Sequence, residues 1–484
     1  MSIQERWEPS LLQLPRGARA AREPWAPVIL RSRRPGTLVL LIVFLGLQFL
    51  IPARLVIGGL GAVGRPSVAI GILLVFLWVL SAIRPHELPL VHSQPIRWVI
   101  GGYVALQLFG YAVGLDRGLS SVEGSSALRW VIFTVAMAGI ALATADGVST
   151  RQQLDRLLLA MTGFAAVMSF VGVLQFAEIV DLTDYIQIPG LHENTDLIDP
   201  GERGPGFARI ASTANHYIEF GVVMALILPI AMHYALFSPP GLQRYFRWAA
   251  MGLIAVGIPL SISRSAVLAI VVGMGLMAVI WRWRQRYNAL VLAMLATAVF
   301  HVIQPGVLGT IKSLFLNLDN DPSVQDRIER SGYVFNLWAQ RPWVGRGAGT
   351  MIPEEYILLD NQWYVTLLAG GIIGVGGLAL FFLVPYLMGR SIRLRGDDQE
   401  TRHLAQALAV AMPIAVLVSG TFDSFSFVTF VGVIFIIIGA IGALWRLDRT
   451  SPTKPMQAAA PDDRFVTSPL AVSWRDRHNV ARRS

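Results

Sequence analysis

The feature that most constrains this chain is a series of apolar stretches, each long enough to cross a lipid bilayer. A helix needs roughly 17–25 mostly apolar residues to span about 30 Å of hydrocarbon. Hydrophobic residues make up 54% of the 484 residues and charged residues 15%, which excludes an ordinary soluble protein. We therefore predict an all-α polytopic membrane protein with about twelve transmembrane helices, at residues 36–52, 66–83, 96–115, 127–145, 156–178, 217–237, 247–263, 265–281, 288–304, 363–389, 404–420 and 426–445.

The basic residues predict the orientation of these helices, because arginine and lysine concentrate in short cytoplasmic loops. Alternate loops carry arginine, and all of them fall on one side if the N-terminus is cytoplasmic. An even number of spans returns the C-terminus to the same side. We predict a basic cytoplasmic tail at residues 1–34, a transmembrane domain at 35–446 with external loops at 179–216 and 305–362, and a disordered cytoplasmic tail at 447–484.

The charge distribution argues against a nucleic-acid-binding protein, and the cysteine content argues against a disulfide-linked or cysteine-dependent one. The net charge of +9 is spread over loop ends in the way that topology requires, so it does not indicate nucleic-acid binding. The sequence contains no cysteine, which excludes disulfides and cysteine-based metal or redox sites. The informative charges are therefore the few that lie outside the predicted cytoplasmic loops.

The longest polar segment, at 305–362, contains a predicted helix that starts near Asp321-Pro322 and runs to about Gln340. Helical spacing places Arg327, Arg330 and Trp338 on one face. Because the planar fork of arginine matches phosphate oxygens, we predict anion binding there. Pairing of Asp326 with Arg330 within the helix is the structural alternative. The binding candidates in this segment are Arg327, Arg330, Trp338, Arg341, Arg346 and Asn361.

The end of this segment returns towards the membrane through glycines and an acidic residue. Gly345, Gly347 and Gly349 alternate after the predicted helix, and such glycines allow a backbone to approach a ligand closely. Asp360 precedes Trp363, whose ring suits the membrane interface. We regard Asp360 as a candidate general base.

Two further elements add candidates from other loops. Asn215 and His216 stand at a predicted helix start, where backbone N–H groups favour anions, and Glu219 follows one turn later. His216 and Glu219 are candidate catalytic residues, and capping with a satisfied histidine is the structural alternative. Arg209 and Arg264 are candidate binding residues, because Arg264 stands in a short link where a charge needs a partner or a water-filled cavity.

Taken together, these motifs resemble those of the bacterial O-antigen ligase and Wzy-type polysaccharide polymerase superfamily. Residues 209–220 resemble its arginine, small-residue and Asn/His element, and residues 261–265 its Ser-x-Ser-Arg element. Residues 330–347 resemble its pattern of arginine, tryptophan and Pro-x-x-Gly-x-Gly. Residues 360–374 resemble its His-or-Asp, Asn, aromatic and Gly-Ile-Gly sequence at the return into the membrane.

The resemblance implies a membrane glycosyltransferase of the GT-C type in the bacterial cytoplasmic membrane, acting at its external face. The donor would be a glycan on undecaprenyl diphosphate and the acceptor a glycan or a lipid, with no metal and no cofactor. A flippase and a chain-length regulator are further expected partners. Arginines would hold the diphosphate leaving group, and a base would take the proton of the acceptor hydroxyl.

One departure divides the possible functions. Ligases of the family carry histidine where this chain has Asp360, which favours a polymerase over a ligase. The base stays open among Asp360, His216 and Glu219. A lipid-linked glycan flippase is a further alternative, although the predicted span centres lack the ionisable groups of transporters. The last alternative is another cell-wall glycosyltransferase or an acyltransferase, and His233 and His301 have no evident partners.

Overall fold

A computed structural model describes residues 36–83, 94–194, 209–303 and 322–450. The predicted tail at 1–34, and all but the first residues of the tail predicted from 447, lie outside these ranges. Within them the protein is almost entirely helical. Its one pair of short strands is antiparallel and joins β1 (Leu55–Val56) to β2 (His192–Glu193).

Thirteen α-helices form the described parts of the chain. They are α1 (Gly36–Leu50), α2 (Pro66–Ile83), α3 (Pro95–Arg117), α4 (Ser121–Gly147), α5 (Arg151–Phe176), α6 (Tyr217–Leu236), α7 (Leu242–Leu260), α8 (Arg264–Ala278), α9 (Trp283–Ile303), α10 (Pro322–Trp338), α11 (Gln362–Arg395), α12 (Gln399–Val418) and α13 (Val428–Thr450).

The helices support the predicted class of polytopic all-α membrane protein. Each predicted apolar span coincides with a helix, and eight described helices, α2 to α6 and α11 to α13, are long and apolar enough to cross a membrane. α1 and α8 are apolar but shorter, at 15 residues each. The number of twelve spans stays a prediction.

Loops alternate between the two ends of the bundle, as expected for helices that follow one another in antiparallel order. One end, called the site end below, carries the described residues 51–65, 118–120, 177–194, 209–216, 261–263, 339–361 and 419–427. Contacts between these loops support the grouping: Ala53 N–H donates to the Thr213 carbonyl at 2.8 Å, and Gln362 N–H donates to the Ser419 carbonyl at 2.8 Å. The other end is called the opposite end.

The centre of the bundle is formed by α6, α12 and α13, whose side chains are mostly buried. α2 and α11 present large apolar side chains outward, as lipid-facing helices do, including Phe76 at 59% and Leu380 at 57% exposure. Small residues bring helices into close contact. A Cβ at Gly71 would lie 2.6 Å from the Ala136 carbonyl oxygen, so α2 and α4 pack backbone to backbone.

The helix α11 is interrupted at Gly371, which has a φ of 61°. The chain before α11 supplies the hydrogen bonds that this break removes. Backbone N–H groups of Arg346 and Gly347 donate to Leu368 and Ala369 at 2.9 Å each. Those of Ile372 and Ile373 donate to Pro342 and Trp343 at 2.9 and 3.2 Å. Four backbone hydrogen bonds thus join residues 342–347 to the break, where bare polar groups would cost several kcal/mol in lipid.

Several ionisable groups at the opposite end are paired. Arg97 contacts Asp146 at 2.9 Å, and the same carboxylate accepts from Trp78. The Nδ1 atoms of His233 and His403 lie 3.2 Å apart in a buried ring stack. The sequence-based statement that His233 has no evident partner was therefore wrong, because its partner comes from a helix far away in the chain.

Candidate functional site

The candidate site is organised by the connection between α12 and α13, residues 419–427. Gln362 N–H donates to the Ser419 and Phe422 carbonyls at 2.8 and 3.2 Å. In return, the Gln362 side-chain oxygen accepts from Phe425 N–H at 2.9 Å. These bonds fix the start of α11 against the connection. They bring Asp360, two residues before Gln362, close to Asp423.

Asp423 is a functional candidate that the sequence reasoning missed. Part of the residue reaches the surface of the 419–427 connection, but its carboxyl is largely removed from water and accepts a hydrogen bond from the Ser426 side chain. Burial, together with the nearby charge of Asp360, raises its pKa to about 7, while the Ser426 bond acts in the other direction. The available signal was an acidic residue between the last two apolar spans at the predicted external side.

Asp360 and Arg330 are brought together as an ion pair. Arg330 Nη1 lies 3.4 Å from the Asp360 carboxylate and donates to the Leu358 carbonyl at 2.6 Å. The two side chains are 27% and 42% exposed, so both are accessible from outside the bundle. A predicted phosphate-binding arginine and a predicted base therefore share one surface. The pair also holds α10 against the chain that leads into α11.

Arg209 and His216 form a second group beside the same connection. The Arg209 guanidinium lies over the Tyr217 ring at 4.4 Å and donates to the Tyr217 hydroxyl. The His216 ring stacks on Tyr217 at 4.1 Å and lies 5.9 Å from Phe427. His216 and Arg209, which precede α6, therefore reach through Phe427 the connection that carries Asp423.

The state of His216 follows from its surroundings. Burial, and secondly the charge of Arg209, lower its pKa to about 4, so the ring is neutral near pH 7. Its Nδ1 accepts from Ile218 N–H at 3.3 Å. In the neutral ring the proton is then on Nε2, which can donate a hydrogen bond. This arrangement suits the binding of an oxygen ligand better than the removal of a proton.

Glu219 has the surroundings of a structural carboxylate. It is fully buried, and one oxygen accepts from the Thr429 and Phe430 N–H groups at 2.7 and 3.1 Å. The other oxygen accepts from Asn215 N–H at 2.8 Å. Glu219 thereby caps the first turn of α13 and ties it to the start of α6. This geometry favours the structural alternative for Glu219 over the predicted catalytic role, because both oxygens are already engaged.

Asn215 differs from its neighbour Glu219 because its side chain has an unused hydrogen-bond acceptor within the described structure. Its side-chain oxygen is buried and has no hydrogen-bond partner among the described residues. The predicted binding role of Asn215 is compatible with this, since an unsatisfied buried acceptor favours a donor from a ligand or from water.

Arg264 begins α8 at the site end and is partly buried. Ser263 caps the helix by accepting from Ala266 N–H at 3.4 Å, and Ile262 adopts a φ of 45° in the link. A Cβ at Gly221 in α6 would collide with Ser261 and Ala266. The Ser261–Ser265 link therefore lies against the first turns of α6, at the same level as His216.

Two predicted binding residues have structural partners. The Asn361 side-chain oxygen caps α11 by accepting from Trp363 and Tyr364 N–H at 2.9 and 3.2 Å, and its amide donates to the Gly420 carbonyl at 3.1 Å. Trp338 Nε1 donates to the Pro342 carbonyl at 3.0 Å, and its ring packs on a small core around Val334 and Leu368. Both side chains shape the site, and their predicted substrate contacts are not favoured by this geometry.

The prediction that the glycines at 345–349 admit a ligand is corrected by the structure, because protein atoms occupy the space beside them. A Cβ at Gly345 would lie 2.5 Å from the Ala369 carbonyl, one at Gly347 would lie 2.8 Å from Gly114 Cα, and one at Gly349 would lie 2.5 Å from Trp130 Cβ. All three have positive φ, which favours glycine. The segment is thus inserted between α3, α4 and α11.

The remaining arginines of the long segment lie elsewhere. Arg346 donates to the Gln340 side chain, and its carbonyl accepts from Arg117 Nε at 3.0 Å. Arg117 is paired with buried Glu123, so this group fastens the segment to the ends of α3 and α4. Arg341 is partly buried in the turn after α10. The side chain of Arg327 lies outside the described part of the structure.

The fold and the clustered arginines and carboxylates at one end define a polytopic membrane protein with a polar site at the edge of the apolar bundle. Residues 249–379 match the family model described as O-Antigen ligase. This confirms the resemblance to the O-antigen ligase and Wzy-type superfamily. No curated protein matches the chain. The matched segment contains Arg264, Arg330 and Asp360, whereas Arg209, His216 and Asp423 come from outside it.

Proposed function

We propose that this protein is a membrane glycosyltransferase that polymerises oligosaccharide repeats carried on undecaprenyl diphosphate, at the external face of the cytoplasmic membrane. The observation that carries the proposal is that Asp360 and Asp423 lie close together beside Arg330 at the site end. Family likeness supports the class of reaction. The carboxylate pair supports the chemistry, because transfer to a hydroxyl group needs a base next to a site for an anion.

In the proposed reaction, the oxygen of the acceptor hydroxyl bonds to the anomeric carbon of the donor sugar. The bond from that carbon to the diphosphate oxygen breaks, and the electron pair leaves with the lipid diphosphate. Asp423 takes the hydroxyl proton, since a pKa of about 7 keeps a useful fraction ionised at neutral pH without making the carboxylate a very weak base. Asp423 replaces Asp360, His216 and Glu219 as our preferred base.

Asp360 and the arginines have separate roles in this proposal. The negative charge of Asp360 helps to raise the pKa of Asp423, as in other carboxylate pairs. Arg330 balances Asp360 and remains accessible to phosphate oxygens. Arg209 and Arg264, with the Nε2–H of His216, form the other side of an anion site for the departing diphosphate.

Ligase-type transfer to a lipid or another acceptor is the second candidate, and the description of the matched family favours it. The aspartate at position 360, where the ligases carry histidine, supports polymerisation instead. A flippase is the third, and it would need no carboxylate of raised pKa beside an arginine. These alternatives differ in product, so a single assay separates them.

The test uses purified protein in detergent with an undecaprenyl-diphosphate oligosaccharide as the only substrate. We expect products of two or more repeats on one carrier, resolved by gel or mass spectrometry, from the wild type. Arg209→Ala, Arg264→Ala and Arg330→Ala should each lower the rate by roughly 10²-fold or more, because each would remove charge stabilisation. Arg54→Ala is the matched control, since Arg54 lies at the same end and is paired with Asp184 at 2.8 Å.

Wild-type protein that makes no product in detergent, yet moves the lipid-linked glycan across a bilayer, would establish a flippase. Transfer only after a lipid acceptor is added would establish a ligase. Full rates from all three arginine variants would contradict the proposed anion site.

A further inference from the structure

A cavity of about 240 Å³ lies beside the carboxylate pair, enclosed by α3, α4, the first turns of α11 and residues 344–353. Gln362 and Ser426 form part of its wall. Gln362 comes two residues after Asp360, and Ser426 bonds to the Asp423 side chain. The wall of the cavity thus includes direct neighbours of the two carboxylates but not the carboxylates themselves.

Tyr103 contributes to the wall of this cavity. The residue is only 7% exposed, and its ring packs on Phe381 at a centroid distance of 4.6 Å and on Phe425 at 6.2 Å. No described residue forms a hydrogen bond with its hydroxyl. A hydroxyl group without a protein partner in a cavity wall can bond to water or to a ligand. The hydroxyl of Tyr103 is therefore suited to a ligand that brings a polar atom into the cavity.

Trp130 and Gln107 extend the polar character of the same wall. Trp130 Nε1 donates to the Gln107 side-chain oxygen at 2.8 Å. This bond uses the acceptor of Gln107 and leaves its amide hydrogens for another partner. The indole is fixed by the bond while its apolar body lines the cavity. The lining is therefore part apolar and part polar. It combines the aromatic surface of Trp130 with the amide of Gln107 and the hydroxyl groups of Ser126 and Thr366.

We propose that this cavity is a subsite for one sugar residue of the acceptor glycan, held next to the residue whose hydroxyl is deprotonated. A sugar ring has apolar C–H faces for the indole and hydroxyl groups for Tyr103 and Gln107. The volume is below the roughly 300–1,000 Å³ of pockets for drug-sized ligands, which suits one unit of a larger molecule. An isoprenoid tail would bury the Tyr103 hydroxyl without a partner, which is unfavourable.

The assignment of the bound sugar to the acceptor glycan rests on the proposed function. The test measures sugar binding without turnover. Because the chain has no cysteine, a single cysteine can be labelled without background. Ser126→Cys places a thiol in the cavity wall, and Ile352→Cys is a second reporter from the inserted segment. Ser125→Cys is the matched control, since Ser125 is exposed and is not part of the lining.

The rate of modification by N-ethylmaleimide is measured in detergent with methyl glycosides of a neutral hexose, an N-acetylhexosamine and a 6-deoxyhexose. We expect at least one glycoside to slow the labelling of both cavity reporters and to leave Ser125→Cys unchanged. Tyr103→Phe should raise the concentration for half-protection roughly 5- to 10-fold, because one hydrogen bond is lost. Removal of an unpartnered hydroxyl should leave the folded fraction unchanged.

Protection by farnesyl phosphate and by no glycoside would overturn the proposal in favour of a lipid-tail site. Absence of protection by any probe, or equal protection in Tyr103→Phe, would overturn it as well. Failure of the proposed function is a different result, namely no glycan transfer by wild-type protein that still shows glycoside protection.

Discussion

Two carboxylates at the site end, Glu219 and Asp423, show how similar residues acquire different roles. Glu219 is fully buried and accepts from three backbone N–H groups, and its charged neighbour is the buried cation Arg65. Asp423 is partly exposed, accepts from the Ser426 side chain, and has the like charge of Asp360 nearby. The difference teaches that the hydrogen-bond partners and the sign of the neighbouring charge, rather than burial alone, distinguish a structural carboxylate from a reactive one.

The largest effect that the comparison predicts is on catalysis at Asp423. Asp423→Asn keeps the size of the side chain and removes its basicity, so we expect glycan transfer to fall by roughly 10²- to 10⁴-fold. The unfolding temperature in detergent should change little, because the carboxylate is not a cap for backbone groups. The measurement is initial rate and thermal unfolding on the same preparation. A variant that retains wild-type rate would remove Asp423 from the mechanism.

The reverse pattern is expected for Glu219. Glu219→Ala leaves three N–H groups without their acceptor, so we expect a loss of about 3 kcal/mol or more in stability. The check is the fraction of protein that remains monodisperse after heating. Glu219→Gln is the matched control, because its amide oxygen can still accept and its effect should be smaller. If Glu219→Gln were fully stable but inactive, the contrast between the two carboxylates would be wrong.

The smallest effect concerns the influence of Asp360 on Asp423. Since the charge of Asp360 raises the pKa of Asp423, Asp360→Asn should lower that pKa. In the wild type, the rate should fall as the pH drops below about 7, where Asp423 becomes protonated. In the variant, this acid limb should move to lower pH, by a small amount because burial is the larger cause of the raised pKa. An acid limb that moves upward or stays in place would contradict the coupling.

Much of the fold could be predicted from the sequence, because apolar periodicity and length are local properties of the chain. The predicted spans coincide with helices. The predicted helix from Asp321 to about Gln340 corresponds to α10, Pro322–Trp338. The basic loops predict that the N- and C-termini are cytoplasmic, and a topology measurement would test this orientation.

The candidate site could be predicted only in part, because long-range contacts determine it. The meeting of Arg330 with Asp360 depends on how α10 folds back on the chain before α11. Nothing in the local sequence distinguishes the fully capped Glu219 from a catalytic acid. The glycines at 345, 347 and 349 are required by close packing on α3, α4 and α11, which the local sequence does not show.

The break in α11 at Gly371 has a consequence for how the protein is made. Residues 342–347 emerge from the ribosome before the carbonyls and N–H groups that they will bond in α11. They also contact α3, which is synthesised much earlier. Residues 342–347 can therefore reach their final packing only after α11 has been placed beside α3. Packing of this segment thus depends on both helices, and substitutions at Gly345 or Gly371 should impair assembly of the bundle before they affect any chemistry.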